Sequence, residues 1–201
     1  MQKAMSGIGK TTIIGLALCL YLVCTGCKIG STTVTVDGHT FDIPNDHRIR
    51  ASFYFIPTKE DDGFSFYLNP TAPVIERYII SVGPYSIMCV GRDGIPYMRS
   101  ICRAPGNERF WGITGKDSLM RIPEPDYNFG YYFVRKDNPK IYIASCLDLN
   151  GPHPERGGLC NTFGDYKGIR YQVGFDEIDL PLLSKRISEI NSMLKAWEQK
   201  Q

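Results

Sequence analysis

The feature that most constrains this chain is a single change of apolar period near its C-terminal end. From Val34 to Phe175 the apolar residues come in short runs punctuated by Gly, Pro, Asp and Asn, which is strand spacing. From Leu183 onward the spacing is helical. Leu183, Ile187, Ile190, Leu194 and Trp197 lie four, three, four and three residues apart, so they share one stripe of an α-helix. A helix over about 179–199 is predicted, with Asp179 at its positive end and Pro181 in its first turn, where the missing N–H costs nothing. The stripe is expected to cover a sheet face; a helix presented to a partner is the alternative.

The strand region supplies further detail. Residues 34–36 and 41–43 flank Asp37-Gly38, a hairpin signal because glycine tolerates the positive φ of a tight turn. Residues 51–56 and 64–68 flank a polar stretch ending in Gly63 and predict a second hairpin. Other strand candidates are 74–82, 85–90, 97–102, 129–134, 141–146 and 169–175. In the last of these Ile169, Tyr171, Val173 and Phe175 alternate with polar or small residues, so one face should be buried. Gly130 is a candidate bulge or close backbone approach. The expected fold is α+β: one domain over 34–201, a mostly antiparallel sheet or small sandwich with the C-terminal amphipathic helix packed on it.

The first 26 residues read differently from the rest. Lys3 and Lys10 precede an apolar run of about 13 residues, short of the ~20 needed to span a bilayer, and a small pair, Thr25-Gly26, precedes Cys27. That order is a signal-peptide layout, and its end resembles the lipobox of bacterial lipoproteins. The resemblance implies cleavage after residue 26, lipid on the Cys27 thiol, and a short polar tether over 27–33. With Lys28 and no Asp after the cysteine, it implies the outer membrane, facing the periplasm. Ser6-Gly7-Ile8-Gly9-Lys10-Thr11 imitates a phosphate-binding loop, but the first glycine of that motif would fall on Ala4 and no strand precedes it, so no nucleotide is expected.

The whole chain has 23 basic and 21 acidic residues, and loss of Lys3 and Lys10 would leave 21 of each. A charge-balanced body argues against a broad nucleic-acid footprint. Of seven cysteines, Cys19 and Cys24 lie in the leader and Cys27 is the lipid site. Cys89, Cys102, Cys146 and Cys160 remain, an even set that reads as two disulfides in an exported protein. Three pairings are open. The local ones, Cys89 with Cys102 and Cys146 with Cys160, are favoured because each closes a short polar loop between apolar runs; each would contribute about 3 kcal/mol by loop closure. No Cys-x-x-Cys spacing points to zinc.

Nothing in the sequence assembles into a catalytic signature, and no enzyme, cofactor or metal is expected. His39, His47 and His153 each sit among turn residues. G-x-S-x-G is absent. Ser192-Met193-Leu194-Lys195 matches S-x-x-K without its companion motifs. Asp61-Asp62 and Glu124 with Asp126 are paired acids in turns, where solvated carboxylates are ordinary. The aromatic content is higher than one modest core requires; the favoured reading is the ordinary preference of strands for aromatics, and the alternative is an interface, where Tyr and Trp are enriched. Phe110-Trp111, in a loop between Arg109 and Gly112, is the best candidate for an exposed partner contact.

Two stretches, Val34-Thr35-Val36-Asp37-Gly38-His39-Thr40-Phe41-Asp42-Ile43-Pro44 and the closing pattern Cys146, Cys160, Gly168, Tyr171, Val173 and Phe175, resemble small envelope lipoproteins that act as immunity proteins against type VI secretion effectors, phospholipases especially. The resemblance spans most of the chain after Cys27 and implies a protein toxin as partner, with inhibition by occlusion. It supplies no contact motif. The competing expectations are a structural or assembly lipoprotein that binds other envelope proteins and, less favoured, a lipid-anchored hydrolase.

Overall fold

The computed structural model describes residues 30–49, 63–90, 101–102, 104, 106–124, 130–148 and 157–200. The leader, Cys27, the 51–56 strand candidate, Asp61-Asp62, Asp126 and His153 lie outside the described residues. The described strands are β1 (Ser31–Val36), β2 (His39–Pro44), β3 (Phe64–Tyr67), β4 (Ile79–Gly83), β5 (Leu119–Pro123), β6 (Gly130–Arg135), β7 (Tyr142–Leu147), β8 (Leu159–Tyr166) and β9 (Ile169–Asp176), followed by one α-helix, α1 (Leu183–Trp197). β1 and β2 form a hairpin by themselves. The other seven strands form one antiparallel sheet in the order β3-β4-β9-β8-β7-β6-β5. The α+β expectation therefore holds: a mostly antiparallel architecture with a C-terminal helix packed on it.

The tight turns follow from local chemistry. Asp37 and Gly38 both adopt positive φ, 49° and 82°, the pair of left-handed residues that matches the twist of a two-residue hairpin. Lys167 and Gly168 repeat the arrangement at 51° and 90° and join β8 to β9.

The core lies between the sheet and α1. Ile169, Tyr171, Val173 and Phe175 form a buried row, and Leu183, Ile187, Ile190 and Leu194 from the helix belong to the same apolar cluster; Arg170 and Gln172 on the other face of β9 are buried as well, so the expectation of a single buried face is corrected. The predicted stripe thus covers a sheet face. Trp197 extends it at the far end, meeting Phe66 edge-on at 4.9 Å between ring centroids. The helix itself starts at Leu183, four residues after Asp179. Glu177–Leu182 forms a 3-10 turn that accommodates Pro181, and Asp179 accepts a hydrogen bond from the Tyr78 hydroxyl at 2.6 Å instead of capping the helix.

The opposite sheet face is covered where Phe163 packs with Met88, Cys89, Ile101 and Cys102. The 85–90 strand expectation fails here. Ser86–Val90 is a π-helical segment, opened by bonds from the Ile87 and Met88 amides to the Pro84 carbonyl. Coiling lets Met88 and Cys89 both turn onto Phe163, whereas a strand would send them to opposite faces. Ile101 and Cys102 are likewise helical, which corrects the described end of the 97–102 candidate. Of 74–82, only Ile79 onward is strand; Val74–Glu76 is a 3-10 turn with Val74 exposed. The bulge in β6 lies at Phe133/Val134, not at Gly130. β5 and β8 had no strand signal in the sequence.

Both local disulfides are present. Cys89 joins Cys102 with Cα atoms 5.5 Å apart. Cys146 joins Cys160 at 4.0 Å, across directly paired positions of β7 and β8.

Candidate protein-binding surface

Phe110 and Trp111 separate at the end of a 3-10 turn, Glu108–Phe110. The turn is fastened to β8 by three hydrogen bonds. Asn107 donates to the Asp165 carbonyl at 2.7 Å and accepts from its amide at 2.9 Å, so its side chain imitates a strand partner. Arg109, buried, donates to the carbonyls of Ala104 and Phe163. Burial, and next the nearby Arg170 charge, lower its pKa to about 10. Phe110 then points inward and is fully buried. As an exposed contact it is a correction: it is core.

Trp111 leaves the turn in extended conformation, φ −69° and ψ 140°, and its side chain is 66% exposed. Its main chain is nevertheless held. Arg135 donates to the Trp111 carbonyl at 2.7 Å, and the same guanidinium forks onto Asp137 with two bonds of 2.8 Å. A large aromatic ring is therefore displayed from a backbone with little freedom, which is the property of a binding anchor.

Beside Trp111 runs an open groove of about 560 Å³, walled by Asn107 and the β8–β9 turn at Asp165–Lys167 and floored by the outward side of α1. Ser184, Ser188 and Ser192, one turn apart, line that floor with Asn191 and Lys195. Lys167 and Lys195 also border a second groove, where Glu198 sits among residues of the β1–β2 turn.

Glu198 is the hub of this end of the molecule. It receives His39 Nδ1 and Lys167 Nζ at 2.6 Å each and the Tyr166 hydroxyl at 2.8 Å. The adjacent Gln199 amide reaches the Thr40 carbonyl at 2.8 Å. These bonds tie the hairpin, the β8–β9 turn and the end of α1 together. The Lys167 bond chiefly, then the His39 bond, lower the Glu198 pKa to about 2 from an ordinary 4.5, against a smaller opposing effect of burial. Because the folded pKa is the lower one, the stabilisation is complete above about pH 4.5 and is lost as pH falls towards about 2. Glu198→Gln is expected to remove that part of the acid dependence. Urea unfolding of both forms across the interval checks it; a constant difference between them would show that the hub does not titrate.

Glu177, the buried acid nearest to catalytic character, is fully engaged. Lys116 Nζ lies 2.6 Å from Oε1, while the Tyr131 hydroxyl and the Gly158 amide both donate to Oε2. Burial alone would raise its pKa, but the three bonds outweigh burial and leave it below the ordinary value, so this carboxylate is a pin. His47 Nδ1 faces the Tyr67 carbonyl at 2.7 Å rather than a carboxylate. Ser192 donates to the Ser188 carbonyl at 2.9 Å, within the helix. Among the described residues no three His, Cys, Asp or Glu side chains converge to hold a metal ion.

No family model matches the chain, and no curated protein matches it. Among solved structures it is similar to Smlt3025, an immunity protein of the Stenotrophomonas maltophilia type IV secretion system. The two are 11% identical, the alignment covers 86% of this chain and 94% of that one, and the TM-score is 0.48. At that level of likeness nothing about partner or chemistry transfers. Asp165, Lys167, Asn191 and Lys195 escaped sequence analysis because β8 did, and because polar residues on an amphipathic helix read as solvated.

Proposed function

We propose that the protein is an envelope lipoprotein, anchored through lipid on Cys27 in the outer membrane facing the periplasm, whose folded body binds and neutralises a protein toxin. The observation that carries this is Trp111, a mostly exposed aromatic side chain on a backbone clamped by Arg135 and Asp137. An exposed Trp on a fixed loop costs little ordering entropy when a partner covers it. Inhibition is occlusion: the surface around Trp111 sits over the toxin's active-site entrance, and no chemistry is required of the immunity protein. A secretion-system effector, of type VI and phospholipase kind, is the toxin class that the sequence resemblance implies.

The test is expression of the adjacent gene's toxin in the periplasm with and without this protein. Growth is expected to recover with the exported form and not with a form lacking residues 1–26. No recovery with the exported form would remove the immunity role. Cys27→Ser is expected to lose lipid labelling and to move the body into the soluble periplasmic fraction; continued acylation would mean that the anchor lies elsewhere.

A further inference from the structure

We infer that β1 pairs edge to edge with β1 of a second copy of this chain, antiparallel and centred on Thr33, so that two hairpins merge into one sheet in the order β2-β1-β1-β2. The inference goes beyond the toxin-binding reading and does not depend on it. It comes from what happens at each sheet edge.

A strand edge with unpaired N–H and C=O groups recruits another strand unless something covers or blocks it. The edges of β2, β3 and β5 are each dealt with. Beside β3, the Tyr67 amide donates to the His47 carbonyl and the Ile49 amide to the Ser65 carbonyl, with Arg48 bridging to Phe66. Beside β2, Phe41 bridges to Glu198 and the Gln199 amide reaches the Thr40 carbonyl. β5 is protected by its own sequence. Bonds from the Glu124 amide to the Gly130 carbonyl and from the Lys136 amide to the Ser118 carbonyl turn its even-numbered positions towards β6, so Leu119, Arg121 and Pro123 face out. Of these, the Leu119 amide is bonded to the Lys116 carbonyl, proline has no N–H, and Arg121 brings a charge to the edge.

β1 has none of these protections. It is Ser-Thr-Thr-Val-Thr-Val, without proline or charge, in unbroken register with β2, and among the described residues no backbone hydrogen bond leaves its outer side. Its outward groups follow from the turn. A two-residue turn makes Val36 and His39 a hydrogen-bonded pair, and bonded pairs alternate along an antiparallel ladder. Ser31, Thr33 and Thr35 therefore point their N–H and C=O groups away from β2. The Thr40 carbonyl, opposite Thr35, obeys the same alternation, since it points outward onto the Gln199 amide. This outward set is self-complementary. A two-fold axis at Thr33 sets Thr33 against its own copy and Ser31 against Thr35, so every outward N–H meets an outward C=O. The same axis brings Thr32 beside Val34, covering an apolar side chain that packs on the core but stays half-buried in the hairpin alone. The Thr33 and Thr35 side chains are held across the hairpin by Asp42 and Thr40 and do not cap the edge. On β5 the equivalent axis would oppose Arg121 to its own copy, a destabilising like-charge pair, so the second copy belongs to β1.

Cysteine variants of the full chain, purified in detergent and mildly oxidised, read the register. Thr33→Cys is expected to give a cross-linked dimer, because directly opposed Cα atoms of a bonded pair lie about 5.5 Å apart and a disulfide spans about 4.4–6.8 Å. Thr35→Cys alone is expected to stay monomeric on a non-reducing gel, since its own copy lies about 14 Å away along the strand, and to cross-link when mixed with Ser31→Cys. Thr33→Pro removes an N–H that the hairpin does not use, which an edge tolerates. It is expected to weaken dimerisation about tenfold or more in sedimentation equilibrium, with an unfolding midpoint close to that of the unaltered chain. A chain that is monomeric at every concentration, equal cross-linking at positions 33 and 35, or a dimer that a folded Thr33→Pro leaves intact would overturn the proposal. So would a monomeric chain whose toxin protection is abolished by Thr33→Pro, which would give the edge to a strand of the toxin instead.

Discussion

Phe110→Ala is expected to cost about 3–5 kcal/mol of folding stability, while Trp111→Ala, one residue further on, is expected to leave stability within about 0.5 kcal/mol and to weaken toxin binding by about 2 kcal/mol or more, roughly 30-fold. The contrast comes from position alone. Phe110 is fully buried among the core residues between sheet and helix, so truncation leaves a cavity that close-packed neighbours cannot fill. Trp111 is 66% exposed, and its hydrogen bond to Arg135 uses the carbonyl, which alanine retains. Denaturant unfolding and a binding titration with the purified toxin separate the two effects. Wild-type affinity in Trp111→Ala would show that the binding surface lies elsewhere.

Gly164→Ala is expected to destabilise the fold by about 3 kcal/mol. A Cβ on Gly164 would fall 2.2 Å from Cζ of Tyr171 and 2.3 Å from its hydroxyl oxygen, far inside van der Waals contact. Tyr171 stands opposite Gly164 in the β8–β9 ladder and is fully buried, so its ring has no free space to enter. The two positions must therefore be coupled. Tyr171→Leu combined with Gly164→Ala is expected to be less destabilised than the sum of the single changes by at least about 1 kcal/mol, measured by urea unfolding of the four proteins. Additive effects would mean that the ring yields by another route.

That same contact explains why β8 was invisible in the sequence. Its positions 160, 162, 164 and 166 are Cys, Thr, Gly and Tyr, and the strand period is blurred because one inward position must be empty to admit a tyrosine from the neighbouring strand. The 85–90 segment shows the converse. Tyr85, Ile87, Met88 and Val90 have the β-like composition of a strand, yet the chain coils so that Met88 and Cys89 reach Phe163. Tertiary packing overrides local preference in both cases. Of the pair expected to be exposed, Trp111 is exposed and Phe110 is buried, and the residues lining the groove beside Trp111 carry no signal in the sequence.

By itself the sequence determined whatever depends on residues close together along the chain. The Asp37-Gly38 hairpin, the core-facing row of Ile169, Tyr171, Val173 and Phe175, the stripe of α1 and the preference for two local disulfides all express backbone geometry and side-chain period over short stretches of chain. Only the tertiary structure decided what depends on distant residues meeting. Asn107 finds Asp165, Arg135 finds Trp111, and His39 finds Glu198, and these meetings are set by how the strands of both sheets and the helix are seated on one another. A side chain's exposure is a property of what covers it, and the covering residues here come from elsewhere in the chain.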